Sequence, residues 1–448
     1  MFREKVKRLH FVGVGGIGMS GLALLMMQMG YTVSGSDIKE SRNTQMLKDA
    51  GIRVYIGHRP ENVEDAQVVV YSSAVSSDNP ELVYARSRGI PTIPRGEMLA
   101  ELFRIKEGVA VCGSHGKTTT TSMIAYILHE AGLDPTVLIG GILQRFNGNA
   151  RLGKGDFIVS EADESDGSFL KLTPTVAVIT NIDREHLDFY KDYDSIRKAF
   201  LEFANSVPFY GFSVLNADDE GCSQIIPYVS KKHYTYGIQT EAHLMAKNLR
   251  LLEGTYSFDV VWMGKNLGNI HLKVPGKHNV QNALASILVA LQMDVSFDVI
   301  KEALESFRNA ERRLELKGFY KGFPVYDDYG HHPTEIRSVI KAVREMYPDT
   351  KILLVFQPHR YSRTYYLLQD FATVLREADS CIVTDIYPAG EENRWHVSAK
   401  QLAEISGCIY APSKEEVFQA VKRLADNHVI LFMGAGNIGK WSEEFLEV

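Results

Sequence analysis

Residues 108–128 constrain this chain most. An apolar run, Gly108-Val109-Ala110-Val111-Cys112, leads into Gly113-Ser114-His115-Gly116-Lys117-Thr118-Thr119-Thr120-Thr121. A helical pattern, Ser122-Met123-Ile124-Ala125-Tyr126-Ile127-Leu128, follows. The order is buried strand, glycine loop, helix. Glycines let the loop curl so that backbone N–H groups face phosphate oxygens. The helix N-terminus adds partial positive charge. Lys117 supplies a full charge for the β- and γ-phosphates, and the Thr118 hydroxyl a ligand for Mg²⁺. Gly113, Ser114, His115, Gly116 and Thr119 complete the candidate ATP-binding loop. The general phosphate loop reads G-x-x-x-x-G-K-[ST]; here the first glycine's place is Val111, and the loop is the shorter G-x-x-G-K-T.

The rest of the chain alternates strand and helix signals, which predicts parallel sheets covered by helices. At 448 residues it is long enough for about three domains. The expected fold is α/β with three domains. Residues 1–104 form a Rossmann-like parallel sheet. Residues 105–307 form a P-loop ATPase domain with an added antiparallel sheet near 233–275. Residues 308–448 form a second Rossmann-like domain. Strands are read at residues 9–14, 31–35, 68–72, 90–94, 156–160, 176–180, 351–356, 380–384 and 428–432. A net charge of −6 argues against a nucleic-acid partner. The cysteines Cys112, Cys222, Cys381 and Cys408 make no C-x-x-C pair and read as reduced thiols of a cytoplasmic protein. The basic start, residues 1–8, precedes a glycine-rich stretch without a cleavage signature, and no apolar run is long enough for membrane insertion.

Two further glycine patterns need weighing. Gly13-Val14-Gly15-Gly16-Ile17-Gly18 follows a strand and opens a helix, with Met19, Ser20 and Asp37 downstream. It offers bare backbone and a helix N-terminus to a pyrophosphate. The glycines alone do not separate NAD, FAD and a UDP-sugar. Ser72 and Ser73, at another strand end, supply hydroxyls. Gly434-Ala435-Gly436-Asn437-Ile438-Gly439 fits the same pattern but lies too near the C-terminus for a βαβ unit. It reads as a tight turn, either packed or touching a ligand.

Polar constellations follow the phosphate loop. Glu161-Ala162-Asp163-Glu164-Ser165-Asp166 leaves a buried strand directly, where a metal ligand is needed. Glu161 comes first and is favoured over Asp163; the alternative is a solvated acidic loop. Asn181, His186 and Asp188 follow the next buried strand. His186 is either a structural histidine or a second metal ligand. Asn279 and Asn282 lie one turn apart at a helix start, able to read an adenine edge or to cap the helix.

Taken together, these motifs resemble the Mur ligases of peptidoglycan synthesis. Asp327-Asp328-Tyr329-Gly330-His331-His332-Pro333-Thr334-Glu335 and Gln357-Pro358-His359-Arg360-Tyr361-Ser362-Arg363-Thr364 extend the likeness to the whole length. The resemblance implies UDP-sugar, ATP and amino-acid-binding domains in that order. It implies a ligation in which the lactyl carboxylate of UDP-N-acetylmuramate attacks the γ-phosphate of ATP. The resulting acyl phosphate is attacked by the amine of L-alanine through a tetrahedral intermediate. By the same resemblance, Lys117 and Mg²⁺ on Thr118 and Glu161, with a second Mg²⁺ on His186, neutralise the approaching anions; Mn²⁺ is a substitute. Arg313 reaches the phosphates, and Asp328 holds the adenosine ribose. Tyr329, His331, His332, Arg360 and Arg363 line the amino-acid side. The first glycine loop becomes a UDP pyrophosphate site. A monomer or weak homodimer is expected.

Three positions depart from the family pattern: Glu185 stands where Asp is common, Ser114 where Thr is, and Asn437 where Asp is. Leu201 falls near the place of a carbamylated lysine in sister ligases, so no such modification is expected. A ligase joining a ready-made tripeptide to the same sugar is the nearest rival, and Gly15-Gly16-Ile17 disfavours it. A dinucleotide oxidoreductase would leave Lys117, Glu161 and His186 without purpose.

Overall fold

The computed structural model describes residues 5–143, 146 and 148–447. Met1–Glu4 of the basic N-terminal stretch lie outside them. Three sheets account for the strands. The first contains β1 (Arg8–Val12), β2 (Thr32–Asp37), β3 (Arg53–Ile56), β4 (Val68–Tyr71) and β5 (Thr92–Pro94). All five are parallel, in the order β3-β2-β1-β4-β5. Strand order reverses between β1 and β4, and open α/β sheets bind ligands in the crevice at such a point. The loop of residues 13–16 leaves β1 at this crevice, and Ser72 and Ser73 follow β4.

The second sheet has ten strands. They are β6 (Glu107–Cys112), β7 (Thr136–Leu143), β8 (Gly148–Arg151), β9 (Phe157–Glu161), β10 (Val176–Ile179), β11 (Phe212–Asn216), β12 (His233–Gly237), β13 (Leu244–Leu252), β14 (Thr255–Trp262) and β15 (Lys265–Leu272). Their order is β15-β14-β13-β12-β11-β10-β6-β9-β7-β8. Here β6 lies between β9 and β10, parallel to both. The phosphate loop, the acidic loop and the segment carrying His186 therefore all leave the same end of three adjacent strands. The third sheet contains β16 (Glu315–Tyr320), β17 (Phe323–Asp328), β18 (Lys351–Phe356), β19 (Ser380–Val383), β20 (Ile409–Tyr410) and β21 (His428–Met433), in the order β16-β17-β21-β18-β19-β20. Its central strands β18 and β21 are near-continuous apolar runs, as strands covered on both faces must be.

The chain divides into two compact units. One comprises residues 1–247, 260–268 and 281–306; the other comprises 248–259, 269–280 and 307–448. Within the first unit the N-terminal sheet and the phosphate-loop sheet share a core that includes Phe11, Leu22 and Leu99 with Leu138, Ala150 and Ile158. Gly21 allows this contact, because a Cβ there would sit 2.7 Å from Leu138. Asn149 Nδ2 also donates to the Ile17 carbonyl at 2.5 Å.

Several strands escaped the sequence reading. β3 and β20 are short and only partly buried, so they lack an apolar run. β7 pairs in parallel with β9, and β8 adds to it antiparallel at the sheet edge. β16 and β17 are joined by Lys321 and Gly322, both at positive φ, the two-residue turn that suits a twisted hairpin.

A buried carboxylate organises the first sheet. Glu81 is fully buried. It accepts from Ser36 Oγ and Asn62 Nδ2, each at 2.5 Å. His58 Nδ1 lies 3.2 Å away and His10 Nε2 3.6 Å away. Burial pushes the carboxyl pKa up, but the His10 imidazole beside it and the bonds from Ser36 and Asn62 outweigh it and hold it at about 2. A depressed carboxyl pKa stabilises the fold above the unfolded value of 4.5, and that contribution fades as pH falls toward 2. Glu81→Gln should therefore destabilise the chain at pH 7 by on the order of 1–3 kcal/mol. In urea titrations at several pH values, the gap to the parent should narrow from pH 4.5 downward; a constant gap would contradict the assignment.

Candidate active site

The loop after β6 is shaped by the strand beside it. Thr180 and Asn181 follow β10, and both grip the loop. Thr180 Oγ1 donates to the His115 carbonyl at 2.5 Å, and Asn181 Nδ2 donates to the same oxygen at 2.9 Å. The His115 amide donates to Asn181 Oδ1 at 2.8 Å, and the Asp183 amide donates to Ser114 Oγ at 2.8 Å. His115 Nε2 lies 3.1 Å from Asp183 Oδ2. Gly116 sits at φ 82 as the cap of the helix Lys117–Glu130. Asn282, proposed from sequence as an adenine reader, packs on this turn: a Cβ on Gly116 would meet its Oδ1 at 2.6 Å. Its Oδ1 also accepts from Thr120 Oγ1 at 3.2 Å. Thr118 and Thr119 are buried in the helix's first turn.

Lys117 Nζ is drawn into the loop. It donates to the Gly113 carbonyl at 2.5 Å and to Glu164 Oε1 at 2.6 Å. Burial alone would lower the ammonium pKa, but the charges of Glu164 and Glu185 raise it. Glu164 is buried, and its Oε2 has no hydrogen-bond partner. His186 Nε2 is 3.7 Å from Glu164 Oε1 and 3.9 Å from Glu185 Oε2. Burial depresses the His186 imidazole; its bond to Glu164 and the charge of Glu185 prevail and raise it. Glu164, Glu185 and His186 bring one ligand atom each within 4.8 Å of the others, a donor set suited to a hard divalent cation. The side chain of Asp188 lies outside the described residues.

This geometry adds a second carboxylate to the one favoured from sequence in the acidic loop. Glu161, favoured there as the metal ligand, ends β9 with its Oε1 accepting from the Gly140 amide at 2.6 Å. The carboxylate facing Lys117 and His186 is Glu164. The chain turns back after β9: Asp163 Oδ1 accepts from the Ser165 amide, and the Glu164 carbonyl accepts from Tyr190 Oη at 2.5 Å. Asp163 itself pairs with Arg95 at 2.8 Å. Its burial would raise the carboxyl pKa, but Arg95 and Ser165 lower it.

The first glycine loop is open at its turn. Gly16 and Ile17 are exposed, while Met19 and Ser20 are buried beneath them. The Gly13 and Val14 amides donate to the Ser36 carbonyl at 2.8 and 2.9 Å. Asp37 Oδ2 accepts from the Gly15 amide at 2.8 Å, so this carboxylate is spent on the loop's own backbone. Arg95 Nη1 would lie 3.3 Å from a Cβ on Gly18. The arginine thus stands between this loop and the acidic loop, a placement no sequence motif signalled.

In the second unit, Asp328 ends β17. Its two oxygens accept from the Leu314 and Gly330 amides, both at 2.7 Å. Burial pushes its carboxyl up to about 6, against the pull of Arg313. The ribose role read from sequence must compete with those amides. Arg313 lies 5.4 Å from the Tyr329 ring centroid. Burial and Arg313 together depress His278 to about 4, so it is neutral at pH 7. Asn279 Nδ2 donates to the Pro275 carbonyl at 2.7 Å. His332 is buried and caps the helix Pro333–Met346 in a reciprocal pair with Glu335; the partly exposed His331 sets its Nδ1 3.1 Å from the Tyr329 carbonyl and 3.6 Å from Glu335 Oε2. His331 lies 5.9 Å from the His359 ring, which stacks on Tyr387 at 5.7 Å. Arg363 Nη1 is 3.3 Å from His359 Nδ1. Arg360 holds φ 70 and ψ 140, a strained backbone of the sort found at ligand clamps. The late glycine turn is filled by protein: Arg312 Nη2 donates to the Gly434 carbonyl at 2.6 Å, and Gln357 Nε2 to Asn437 Oδ1 at 2.7 Å.

A curled glycine loop at the strand-to-helix junction of a parallel sheet, with a lysine and acidic groups gathered over it, defines a phosphate-loop α/β protein. Three family models match successive stretches of the chain: "Mur ligase family, catalytic domain" over residues 8–107, "Mur ligase middle domain" over 111–290, and "Mur ligase, glutamate ligase domain" over 312–436. A UDP-N-acetylmuramate–L-alanine ligase of Aquifex aeolicus is 63% identical over 448 residues, covering 100% of this chain and 99% of the relative. One of Hydrogenobaculum is 53% identical, covering 99% of each. The crystal structure of a UDP-N-acetylmuramate–alanine ligase from Thermotoga maritima superposes with a TM-score of 0.84 at 32% identity, covering 98% of both chains. The chain belongs to the Mur ligase family, and its fold is that family's three-domain α/β fold.

The clamp on the loop makes a sharp prediction. A Cβ on Gly113, at φ 134, would lie 2.1 Å from Thr180 Oγ1. Gly113→Ala should weaken MgATP binding in calorimetry by at least about tenfold, roughly the loss of one charge-assisted hydrogen bond. Gly148→Ala, whose Cβ meets nothing, should bind as the parent does. Equal affinities for the two variants would contradict the clamp.

Proposed function

We propose that this chain joins L-alanine to the lactyl carboxylate of UDP-N-acetylmuramate at the expense of ATP. The observation carrying this reading is the full-length 63% identity to a relative so named, together with the presence here of each charge-bearing group the chemistry needs. The carboxylate oxygen attacks the γ-phosphorus and ADP leaves, forming an acyl phosphate. The alanine ammonium loses one proton, the neutral amine attacks the carbonyl carbon, and the tetrahedral intermediate collapses with loss of inorganic phosphate. An amide bond forms, and the second N–H proton leaves on the phosphate.

The chain's task in the first step is to hold two anions together. Lys117 contributes a fixed positive charge at the loop, and the N-terminus of the helix Lys117–Glu130 turns its first amides toward the phosphates. Mg²⁺ would add charge between the reacting anions when bound. Thr118, Glu161 and His186 are the ligands read from sequence; Glu164 and Glu185 join them on geometry, because Glu164 Oε2 is buried and unpartnered beside His186. We assign the UDP-sugar to residues 1–104, with Gly13, Gly15, Gly16, Ile17, Gly18, Ser72 and Ser73 at the pyrophosphate. ATP goes to residues 105–307. Alanine goes to residues 308–448, with Tyr329, His331, Arg360 and Arg363 around it. Arg313 serves the phosphates. Among the described residues no helix is long and apolar enough to cross a membrane, which suits a cytoplasmic reaction on a soluble nucleotide sugar.

Phosphate release should require UDP-N-acetylmuramate, L-alanine and Mg²⁺ together. Turnover with a tripeptide but not with alanine would move the assignment to the recycling rival. Lys117→Ala should reduce kcat by at least ~10²-fold while the UDP-sugar still binds in calorimetry; loss of both would refute the division of labour between residues 1–104 and 105–307. A second comparison separates the carboxylates. Glu164→Gln should raise the Mg²⁺ concentration giving half-maximal rate by about tenfold, as loss of a group in contact with a metal ligand does. If only Glu161→Gln does so, Glu164 is a partner of Lys117 alone.

A further inference from the structure

Two thiols lie side by side toward the edge of the third sheet. β19 and β20 pair in parallel, with Ile382 opposite Ile409 and Val383 opposite Tyr410. One step back, the same register sets Cys381 opposite Cys408. Ile382 and Ile409 pack on one face of the sheet, with Phe418 and Val421. Cys381 and Cys408 both pack on the other face, with Val397, Leu402 and Ala403. Alternation along the strands therefore points the two thiols the same way. Neighbouring strands run ~4.8 Å apart, inside the ~4.4–6.8 Å window of Cα spacings that a disulfide spans.

We propose that Cys381 and Cys408 form a reversible dithiol–disulfide pair that responds to small-molecule disulfides of the oxidised-glutathione class. Both thiols are unbonded in the structure. Cys408 is the attacking thiol. It is partly exposed, whereas Cys381 is buried. It follows Gly407, whose φ of 73 ends the helix Ala399–Ser406. Arg376 Nη2 bonds the Ile405 carbonyl nearby. The neighbouring Cys381 thiol, with Ser406 and the charge of Arg376, outweighs burial and lowers the Cys408 thiol pKa; burial raises that of Cys381. The Cys408 thiolate attacks one sulfur of the small disulfide and expels a thiolate, leaving a mixed disulfide. Cys381 then loses its proton, attacks Cys408 Sγ and expels the second thiolate. The chain loses two hydrogens and two electrons, and the small disulfide gains them as two thiols.

The bond would close residues 382–407 into a loop. That segment carries Tyr387, which stacks on His359 and whose carbonyl accepts from the Arg360 amide at 2.8 Å. It also carries Glu391, which accepts from the Ser362 amide at 3.0 Å and Ser362 Oγ at 2.7 Å. The pair thus tethers both ends of the segment that backs residues 360–363.

The test uses the full chain in a series of reduced-to-oxidised glutathione ratios, quenched by alkylation and mapped by peptide mass spectrometry. The expected product is one linked Cys381–Cys408 peptide, two hydrogens lighter. Its unfolding midpoint should rise by about 5 °C over the reduced chain, reversibly with dithiothreitol. Cys381→Ser should stop at glutathione on Cys408, and Cys408→Ser should take up none at Cys381. The proposal falls if the parent stays a dithiol at the most oxidising ratio, accumulates only mixed disulfide at Cys408, or links either sulfur to Cys112 or Cys222. The parent's peptide map decides the matter even if a variant fails to fold.

Discussion

The phosphate loop keeps its shape because the neighbouring strand end holds it. β6 and β10 pair in register, with Cys112 opposite Ile179. That pairing delivers Thr180, Asn181 and Asp183 to the loop. Each such bond contributes about 1 kcal/mol net, which is small beside the entropy of a flexible glycine loop. Their joint effect is geometric. With the Ser114 and His115 amides, the His115 carbonyl and both side chains tied to the strand end, the turn at Gly116 and the helix N-terminus behind it are set in place before any ligand arrives. Preorganisation of this kind is what lets dipoles stabilise charge without reorganising during the reaction.

The electrostatics over the loop follow from burial. Lys117 and Glu164 are too enclosed for water to screen them fully, so each needs the other. Glu185 and His186 extend the set, and the Glu164 and Glu185 carboxylates raise both the lysine and the histidine pKa against burial. An arriving triphosphate disturbs this balance, since Glu164 stands against the ammonium the phosphates must reach. A divalent cation held by Glu164, Glu185 and His186 would resolve the conflict: it would give Glu164 a new partner, leave Lys117 to the phosphate, and engage an Oε2 atom that otherwise has no hydrogen-bond partner. Metal and nucleotide are then expected to bind cooperatively, because each removes the obstacle to the other.

Much of this was legible in the chain itself. The strand–loop–helix order around residues 108–128 was plain because the flanking strand is buried on both faces and reads as one apolar run. Strands such as β18 and β21 were legible for the same reason. β3, β8, β16 and β20 were not, since short or edge strands carry mixed burial that resembles a loop. At the site, Lys117 and His186 could be placed from their positions after strands. Counting residues past the strand end favours Glu161 over Asp163 and leaves Glu164 unmarked, because the count assumes that the chain continues outward. The reverse turn at Asp163, anchored by Arg95 and by Tyr190 Oη on the Glu164 carbonyl, breaks that assumption. Arg95 and Tyr190 are far away in sequence, so no local pattern marks them. Asp37, Asp328 and His332 illustrate a related limit. Their residue types suit ligands, yet each is engaged by nearby backbone amides.

The two G-x-G-x-x-G turns show what such a pattern can and cannot carry. Both follow strands and open helices. In the first, Gly13 and Val14 are held from behind by the Ser36 carbonyl, and the exposed Gly16 and Ile17 leave the front open. In the second, the room above the glycines is taken by protein. A Cβ on Gly436 would strike Gln357 Oε1 at 2.3 Å, and one on Gly439 the Arg312 guanidinium at 2.5 Å. Glycine is required in both places because something approaches the backbone closely. In one case that something is the protein's own arginine and glutamine, whose donors already satisfy the Gly434 carbonyl and Asn437. The pattern therefore reports close approach to a backbone, and only the space in front of the turn says whether a phosphate can be the partner.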